Sequence, residues 1–176
     1  MPPKLLSSEV QYRGRAFNVR VDEVEHQPGR TARLDIVDHP GAVTLLPLDE
    51  AGNVWFIRQY RHAVGQVILE LPAGTLRPGE DPALAANREL QEEIGMRAGQ
   101  LDKLASFWLA PGYSTELMHT YLATQLTPAS LPQDEDEEIV VEKVPRARAV
   151  SLALDGSLQD SKSLAAVLLA ARRLGW

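Results

Sequence analysis

The chain has 176 residues, a length that suits one compact domain with a full hydrophobic core. Its 18 Lys+Arg and 24 Asp+Glu give a formal net charge of −6, which argues against a general basic surface for nucleic acid. Cysteine is absent, which excludes disulfides, thiolate metal sites and cysteine nucleophiles and fits a reducing compartment. The N-terminus lacks the apolar core of a secretory signal, and the longest strongly apolar run, Leu164 to Ala171, is far shorter than the ~20 residues that span a bilayer. We therefore expect a cytoplasmic protein with neither a nucleic-acid nor a membrane partner.

Short segments of alternating polar and apolar residues fill the first half of the chain and predict strands separated by turns that contain Gly or Pro. They are residues 17–26, 31–39, 42–48 and 53–61. The stretch VILELPAG, residues 67–74, then leads toward the first predicted helix. Asp81 is its expected N-cap, Pro82 fits its first turn, and Gly95 is placed to end it.

The second half of the chain predicts two further strands, then an acidic loop, one more strand and two helices. The strands are residues 103–110, 117–126 and 139–144, and the helices are residues 146–154 and 161–174. Strands first, one central helix, and helices at the end predict a mixed α/β or α+β sandwich.

The central helix carries an unusual concentration of carboxylates. At ~100° per residue, Glu89, Glu92 and Glu93 project from one side of it. The opposite side is predicted to be an apolar stripe that packs on a sheet, made of Ala83, Ala86, Leu90 and Ile94. Two interpretations are open: an ordinary solvated helix face, which is common, or a site for hard cations such as Mg²⁺ or Mn²⁺. The carboxylates alone favour the solvated face.

The order of residues around this helix favours the cation site instead. Nine positions in GTLRPGEDPALAANRELQEEIGM match the signature of the Nudix hydrolases, which the chain therefore resembles. These positions are Gly74, Glu80, Arg88, Glu89, Leu90, Glu92, Glu93, Gly95 and Met96. The resemblance implies a loop–helix–loop that holds two or three Mg²⁺ ions, with Mn²⁺ as a possible substitute, against a nucleoside diphosphate linked to another group.

The same resemblance implies a role for each matching residue. Glu89 and Glu93 are the expected metal ligands, and the carbonyl oxygen of Ala73 completes the shell. Glu92 is expected beside them in the catalytic site. The expected structural residues, which orient the ligands, are Gly74, Glu80, Arg88 and Gly95.

Residues outside the signature resemble the ADP-ribose pyrophosphatase branch of the family. Pro111 lies fifteen residues after the end of the signature, as in that branch. Arg61 is a candidate to bind the diphosphate or ribose, and Arg33 resembles an arginine that reaches substrate across a dimer interface. Glu70 and Glu116 are further candidate substrate contacts. Each has a structural alternative, as an exposed strand residue, a strand end or part of a turn.

An acidic loop near residue 135 carries the remaining catalytic candidates. Such a run of acids is usually a solvated loop. In the resembled branch a glutamate of this loop orients or deprotonates the attacking water, which makes Glu137 and Glu135 the candidates, with Glu137 preferred. A free glutamate titrates near ~4.3, so it is already a base at neutral pH and needs placement more than a shifted pKa.

Taken together, the resemblance implies a Mg²⁺-dependent hydrolase that cleaves ADP-ribose to AMP and ribose 5-phosphate. The alternatives are hydrolysis of an ADP- or GDP-hexose or a dinucleotide, and a non-catalytic nucleotide sensor. The implied fold is an α/β/α sandwich with a mixed sheet, formed by residues 41–176. Residues 1–40 are expected to form an additional antiparallel sheet that pairs two subunits in a homodimer.

Overall fold

A computed structural model describes residues 2–133 and 138–176 of the chain. These residues form two compact units. The first contains the chain up to Gly41 together with Trp108–Leu117, and the second contains Ala42–Phe107 and Met118–Trp176. Within the described ranges, every helix is too short or too polar to cross a membrane.

The first unit is a three-stranded antiparallel sheet in the order β1-β2-β3, with a loop attached to its last strand. The strands are β1 (Lys4–Arg13), β2 (Asn18–Gln27) and β3 (Arg30–Asp38). The backbone N–H of Val37 in β3 donates to the carbonyl of Tyr113 at 2.7 Å, and that of Thr115 donates to the carbonyl of Val37 at 3.0 Å. The loop that contains Pro111 is therefore anchored to β3.

The second unit contains two sheets. One is mixed, in the order β7-β4-β9-β8, with β4 parallel to β9 and antiparallel to β7. The other is antiparallel, in the order β10-β5-β6. The strands are β4 (Ala42–Pro47), β5 (Asn53–Arg61), β6 (Gln66–Glu70), β7 (Ala73–Thr75), β8 (Met96–Trp108), β9 (Leu117–Pro128) and β10 (Ile139–Pro145).

In the described part of the chain, three helices cover these sheets, and the core is divided into two clusters. They are α1 (Pro82–Glu93), α2 (Arg146–Leu154) and α3 (Ser161–Leu174). Val43 and Leu45 of β4 are buried with α1, whereas Leu46 of the same strand is buried with α2 and α3. Alternate residues of a strand point to opposite faces, so the helices lie on both sides. The predicted α/β/α sandwich with a mixed sheet is confirmed.

The ends of α1 follow the predicted signals. Oδ1 of Asp81 accepts hydrogen bonds from the backbone N–H groups of Ala83 at 2.8 Å and Leu84 at 3.3 Å. The helix ends at Glu93, and Gly95 follows with a φ of 65°, a left-handed conformation that favours glycine. The signature helix is therefore delimited by local chemistry at both ends.

Candidate functional site

The centre of the candidate site is the contact between α1 and the short strand β7. Oε2 of Glu93 accepts a hydrogen bond from the backbone N–H of Ala73 at 3.0 Å. A Cβ atom built on Gly74 would lie 1.9 Å from Oε1 of Glu89, so only glycine admits this carboxylate. Glu89 and Glu93 are 8% and 3% exposed. The solvated-face interpretation is therefore wrong for these two residues, which turn inward together at Ala73 and Gly74.

Arg88 binds three carboxylates around this contact. Its Nε and Nη2 atoms donate to the two oxygens of Glu80 at 2.9 and 3.0 Å. Its Nη1 atom donates to Glu89 at 2.6 Å and to Glu92 at 2.7 Å. The hydrogen bonds from Arg88 lower the pKa of Glu80, and the same bonds raise the pKa of Arg88. Arg88 therefore offsets much of the repulsion between acids that lie within one turn of the helix.

Glu80 also holds the loop before α1. Glu80 accepts from the backbone N–H of Arg77 at 2.9 Å, and its own N–H donates to the carbonyl of Arg77 at 2.9 Å. The guanidinium of Arg77 lies 3.7 Å from Glu92. Glu92 thus lies between two arginines at the edge of the site, while Glu89 and Glu93 form its interior.

The donor set of this site fits a magnesium ion. Glu89 and Glu93 are hard oxygen donors, and the predicted ligand Ala73 lies directly beside Glu93. Mg²⁺ is usually held by one or two carboxylates, with water and substrate phosphates completing its shell. Within the described ranges, no group of three or more His, Cys, Asp or Glu side chains is drawn together closely enough to hold an ion. Two carboxylates, with water and substrate oxygens, suffice for that mode of binding.

Arg61 of β5 and Glu70 of β6 form an ion pair across adjacent antiparallel strands, although Glu70 lies opposite Ile57 in the register. Nε of Arg61 donates to Oε1 of Glu70 at 2.7 Å and Nη2 donates to Oε2 at 3.0 Å. Glu70 is 1% exposed and also accepts from Nζ of Lys162 at 2.6 Å. Sequence reasoning named Arg61 and Glu70 but missed Lys162, because a lysine in the first turn of a helix gives no local signal of burial.

The remaining predicted residues lie elsewhere. Arg33 is an exposed residue of β3, opposite Glu23 on β2 in the sheet register, and it belongs to the first unit. Glu116 belongs to the same unit, and its N–H donates to Oγ of Ser114 at 3.1 Å. Glu135 and Glu137 lie outside the described residues.

The close approach at Gly74 generates a testable prediction. In Gly74→Ala the new methyl group must displace the Glu89 carboxylate, which is the far end of a flexible side chain and can move without a shift of the backbone. We expect the fold to be retained and Mg²⁺ binding to weaken, measured by calorimetry on the folded protein at a temperature below its transition.

Gly112→Ala is the matched control, because a Cβ atom at Gly112 meets no atom within 4 Å. We expect the control to bind Mg²⁺ as the wild type does. Equal Mg²⁺ affinities for Gly74→Ala and the wild type would contradict the role assigned to this contact.

The chain is similar to known proteins over most of its length. The family model of the NUDIX domain matches residues 38–167. The chain is 34% identical to an ADP-ribose pyrophosphatase of Bacillus subtilis (93% of this chain, 90% of the relative) and 38% identical to one of Mycobacterium tuberculosis (93% and 80%). The crystal structure of an ADP compounds hydrolase superposes with a TM-score of 0.87 at 28% identity, covering 99% of this chain and 95% of the other. The chain therefore belongs to the Nudix hydrolase family.

Proposed function

We propose that the protein hydrolyses ADP-ribose to AMP and ribose 5-phosphate in a reaction that depends on a divalent metal ion. The observation that carries this proposal is the pair of carboxylates, Glu89 and Glu93, turned inward against Ala73 and Gly74. Burying two acids is costly unless they are paired or coordinate a cation. Glu89 is paired with Arg88 at 2.6 Å, and both inward-facing carboxylates are hard oxygen donors of the kind that bind Mg²⁺.

The choice of ADP-ribose rests on the relatives. Two similar proteins that match most of the chain are named ADP-ribose pyrophosphatases, and the similar solved structure is an ADP compounds hydrolase. Other relatives are named GDP-mannose pyrophosphatases, but they match only 70% of the chain at 29 to 31% identity. Greater identity over a larger part of the chain favours ADP-ribose.

The donor set supports the proposed metal requirement. Glu89 and Glu93, with the carbonyl of Ala73, would hold Mg²⁺, or Mn²⁺ in its place, as two or three ions. Bound there, the ions would neutralise charge on the diphosphate and activate the attacking water. Arg88 orients Glu89 through its 2.6 Å hydrogen bond, a role of the kind that the partners of metal ligands commonly have.

The protein's own side chains supply the rest of the mechanism. Arg61 offers a planar guanidinium, 38% exposed, to the diphosphate or ribose of the substrate. Glu70 holds that guanidinium from the buried side. Glu137 is proposed to orient and deprotonate the attacking water, with Glu135 as the alternative. Glu116 and Arg33 are proposed as further substrate contacts, Arg33 from the second subunit of a dimer.

The experiment that tests the function is turnover of a panel of nucleoside diphosphate sugars with Mg²⁺, with the products identified. We expect the highest kcat/KM for ADP-ribose and the release of AMP. A higher kcat/KM for an ADP- or GDP-hexose or a dinucleotide would replace the proposed substrate. Binding of ADP-ribose without hydrolysis of any panel member would favour a nucleotide sensor.

Glu93→Gln tests the metal assignment directly. The substitution keeps an acceptor for the N–H of Ala73 but removes the charge that binds a cation. We expect turnover to fall by about 10²- to 10³-fold with the fold intact, since metal ions contribute several kcal/mol to such reactions. Glu50→Gln, at an exposed position between β4 and β5, is the control and should leave turnover unchanged. Near-normal turnover in Glu93→Gln would contradict the assignment of Glu93 as a metal ligand.

Glu137→Gln and Glu135→Gln distinguish the two loop glutamates. The residue that positions the water should lower kcat by about 10²- to 10⁴-fold when neutralised, which is the usual contribution of a general base. It should leave Mg²⁺ affinity unchanged, because the base is not a metal ligand. We expect this result for Glu137→Gln, and the assignment moves to Glu135 if only Glu135→Gln shows it.

We also propose that two copies of the chain associate through the N-terminal sheet. All ten residues of β1 are exposed, and they include the apolar side chains of Leu5 and Tyr12, at 55% and 59%. β1 is an edge strand, and a long exposed edge with apolar side chains favours pairing with another chain. A second copy of this sheet is the occupant that we propose.

Sedimentation equilibrium measures this association. We expect the wild type to have twice the mass of one chain and Leu5→Glu to shift toward the monomer. Leu154→Glu is the control, because Leu154 is an exposed leucine at the end of α2. A monomeric wild type would contradict the dimer and remove the reason for Arg33 to act across an interface.

A further inference from the structure

A network of ion pairs centred on the buried Glu70 and Lys162 connects Arg61, the proposed substrate contact, to the first turn of α3. The carboxylate of Glu70 accepts two hydrogen bonds from Arg61, at 2.7 and 3.0 Å, and one from Lys162 at 2.6 Å. Lys162 is itself buried and lies 2.9 Å from the carboxylate of Asp160. Two acids and two cations thus alternate from the strand end to the helix.

The helix end of this network is firmly held. Asp160 is the N-cap of α3 and accepts from the backbone N–H of Ser163 at 3.1 Å. The hydroxyl of Ser163 donates to Asp160 and accepts from the backbone N–H of Leu71 at 2.7 Å. Because Leu71 directly follows Glu70, both the backbone and the side chain at the end of β6 are tied to the first turn of α3.

The distribution of contacts on Glu70 determines what Lys162 does for Arg61. Oε1 of Glu70 contacts Nε of Arg61, whereas Oε2 is shared between Nη2 of Arg61 and Nζ of Lys162. The two parallel bonds fix the plane of the guanidinium. Glu70 is thus paired with two cations in its buried position, and Arg61 is not its only partner.

We propose that Lys162 is a positioning residue that sets the geometry and effective charge of Arg61 for an anionic substrate. It takes up part of the negative charge of Glu70, so that Arg61 retains attraction for the diphosphate. This inference rests on the proposed function in one respect, the contact between Arg61 and substrate. A purely structural role, in which Lys162 only fastens α3 to β6, is the alternative to be distinguished.

A double-mutant cycle tests the proposal. Lys162→Met removes the cation at similar length, and Arg61→Lys keeps the charge at position 61 but removes the bidentate fork. Each single substitution is expected to raise KM about tenfold and to change kcat less than about threefold, as for loss of an interaction that binds ground and transition states equally. In the Arg61→Lys background, Lys162→Met should raise KM less than about twofold, because residues that act through one contact are not additive.

Two outcomes of this cycle would contradict the proposal. KM effects that multiply in the double variant, or a Lys162→Met variant with a lower melting temperature and an unchanged KM, would overturn the positioning role. If Lys162→Met lacks a cooperative thermal transition, Lys162→Gln, which keeps a donor for Glu70, takes its place. Arg148→Met is the matched control, because it removes a cation from an exposed ion pair in α2 and should leave KM unchanged.

The cycle is measured with the panel member that has the highest kcat/KM. A preference for a sugar nucleotide other than ADP-ribose would therefore overturn the proposed substrate, but the double-mutant cycle would still test the role of Lys162. Additive effects with ADP-ribose as the best substrate would overturn the role of Lys162 and leave the proposed function intact.

Discussion

The structure around the candidate site depends on one steric constraint, the close approach of α1 to β7 at Gly74. The Glu89 carboxylate occupies the space that any side chain at position 74 would fill. In the adjacent contact, Glu93 accepts a hydrogen bond from the backbone of Ala73. Solvent is the lowest-cost environment for a carboxylate, so the inward placement of both acids depends on the partners that the fold supplies.

The charge of the buried Glu89 is offset by Arg88, whereas the buried Glu93 accepts a hydrogen bond from the backbone of Ala73. One guanidinium binds Glu80, Glu89 and Glu92 through charge-assisted hydrogen bonds of 2.6 to 3.0 Å. Glu80 in turn secures the loop through the backbone of Arg77. The residues that orient the site are therefore the residues that make its burial tolerable. Arg88 and Glu80 therefore connect α1, the loop before it and the candidate metal ligand Glu89.

Glu70 is also a buried acid, but its charge is offset by different partners. It is more deeply buried than Glu89 or Glu93, and it is bound by two cations from separate elements, Arg61 of β5 and Lys162 of α3. A buried acid with two partners from distant parts of the chain depends on the complete fold. The geometry of Arg61 is thus linked to the C-terminal helix, which contains none of the residues that the family signature specifies.

The sequence by itself determined the family signature, the N-cap Asp81, the position of Gly95 and the bounds of α2 and α3, because these depend on neighbours within a few residues. It missed β1, whose ten exposed residues carry no burial pattern. Only the tertiary structure decided that Glu89 and Glu93 are buried while Glu92 lies at the edge, and that Lys162 reaches Glu70 across 92 positions of the chain. Helical spacing places side chains on a face, but burial and ion pairing depend on which distant element packs against that face.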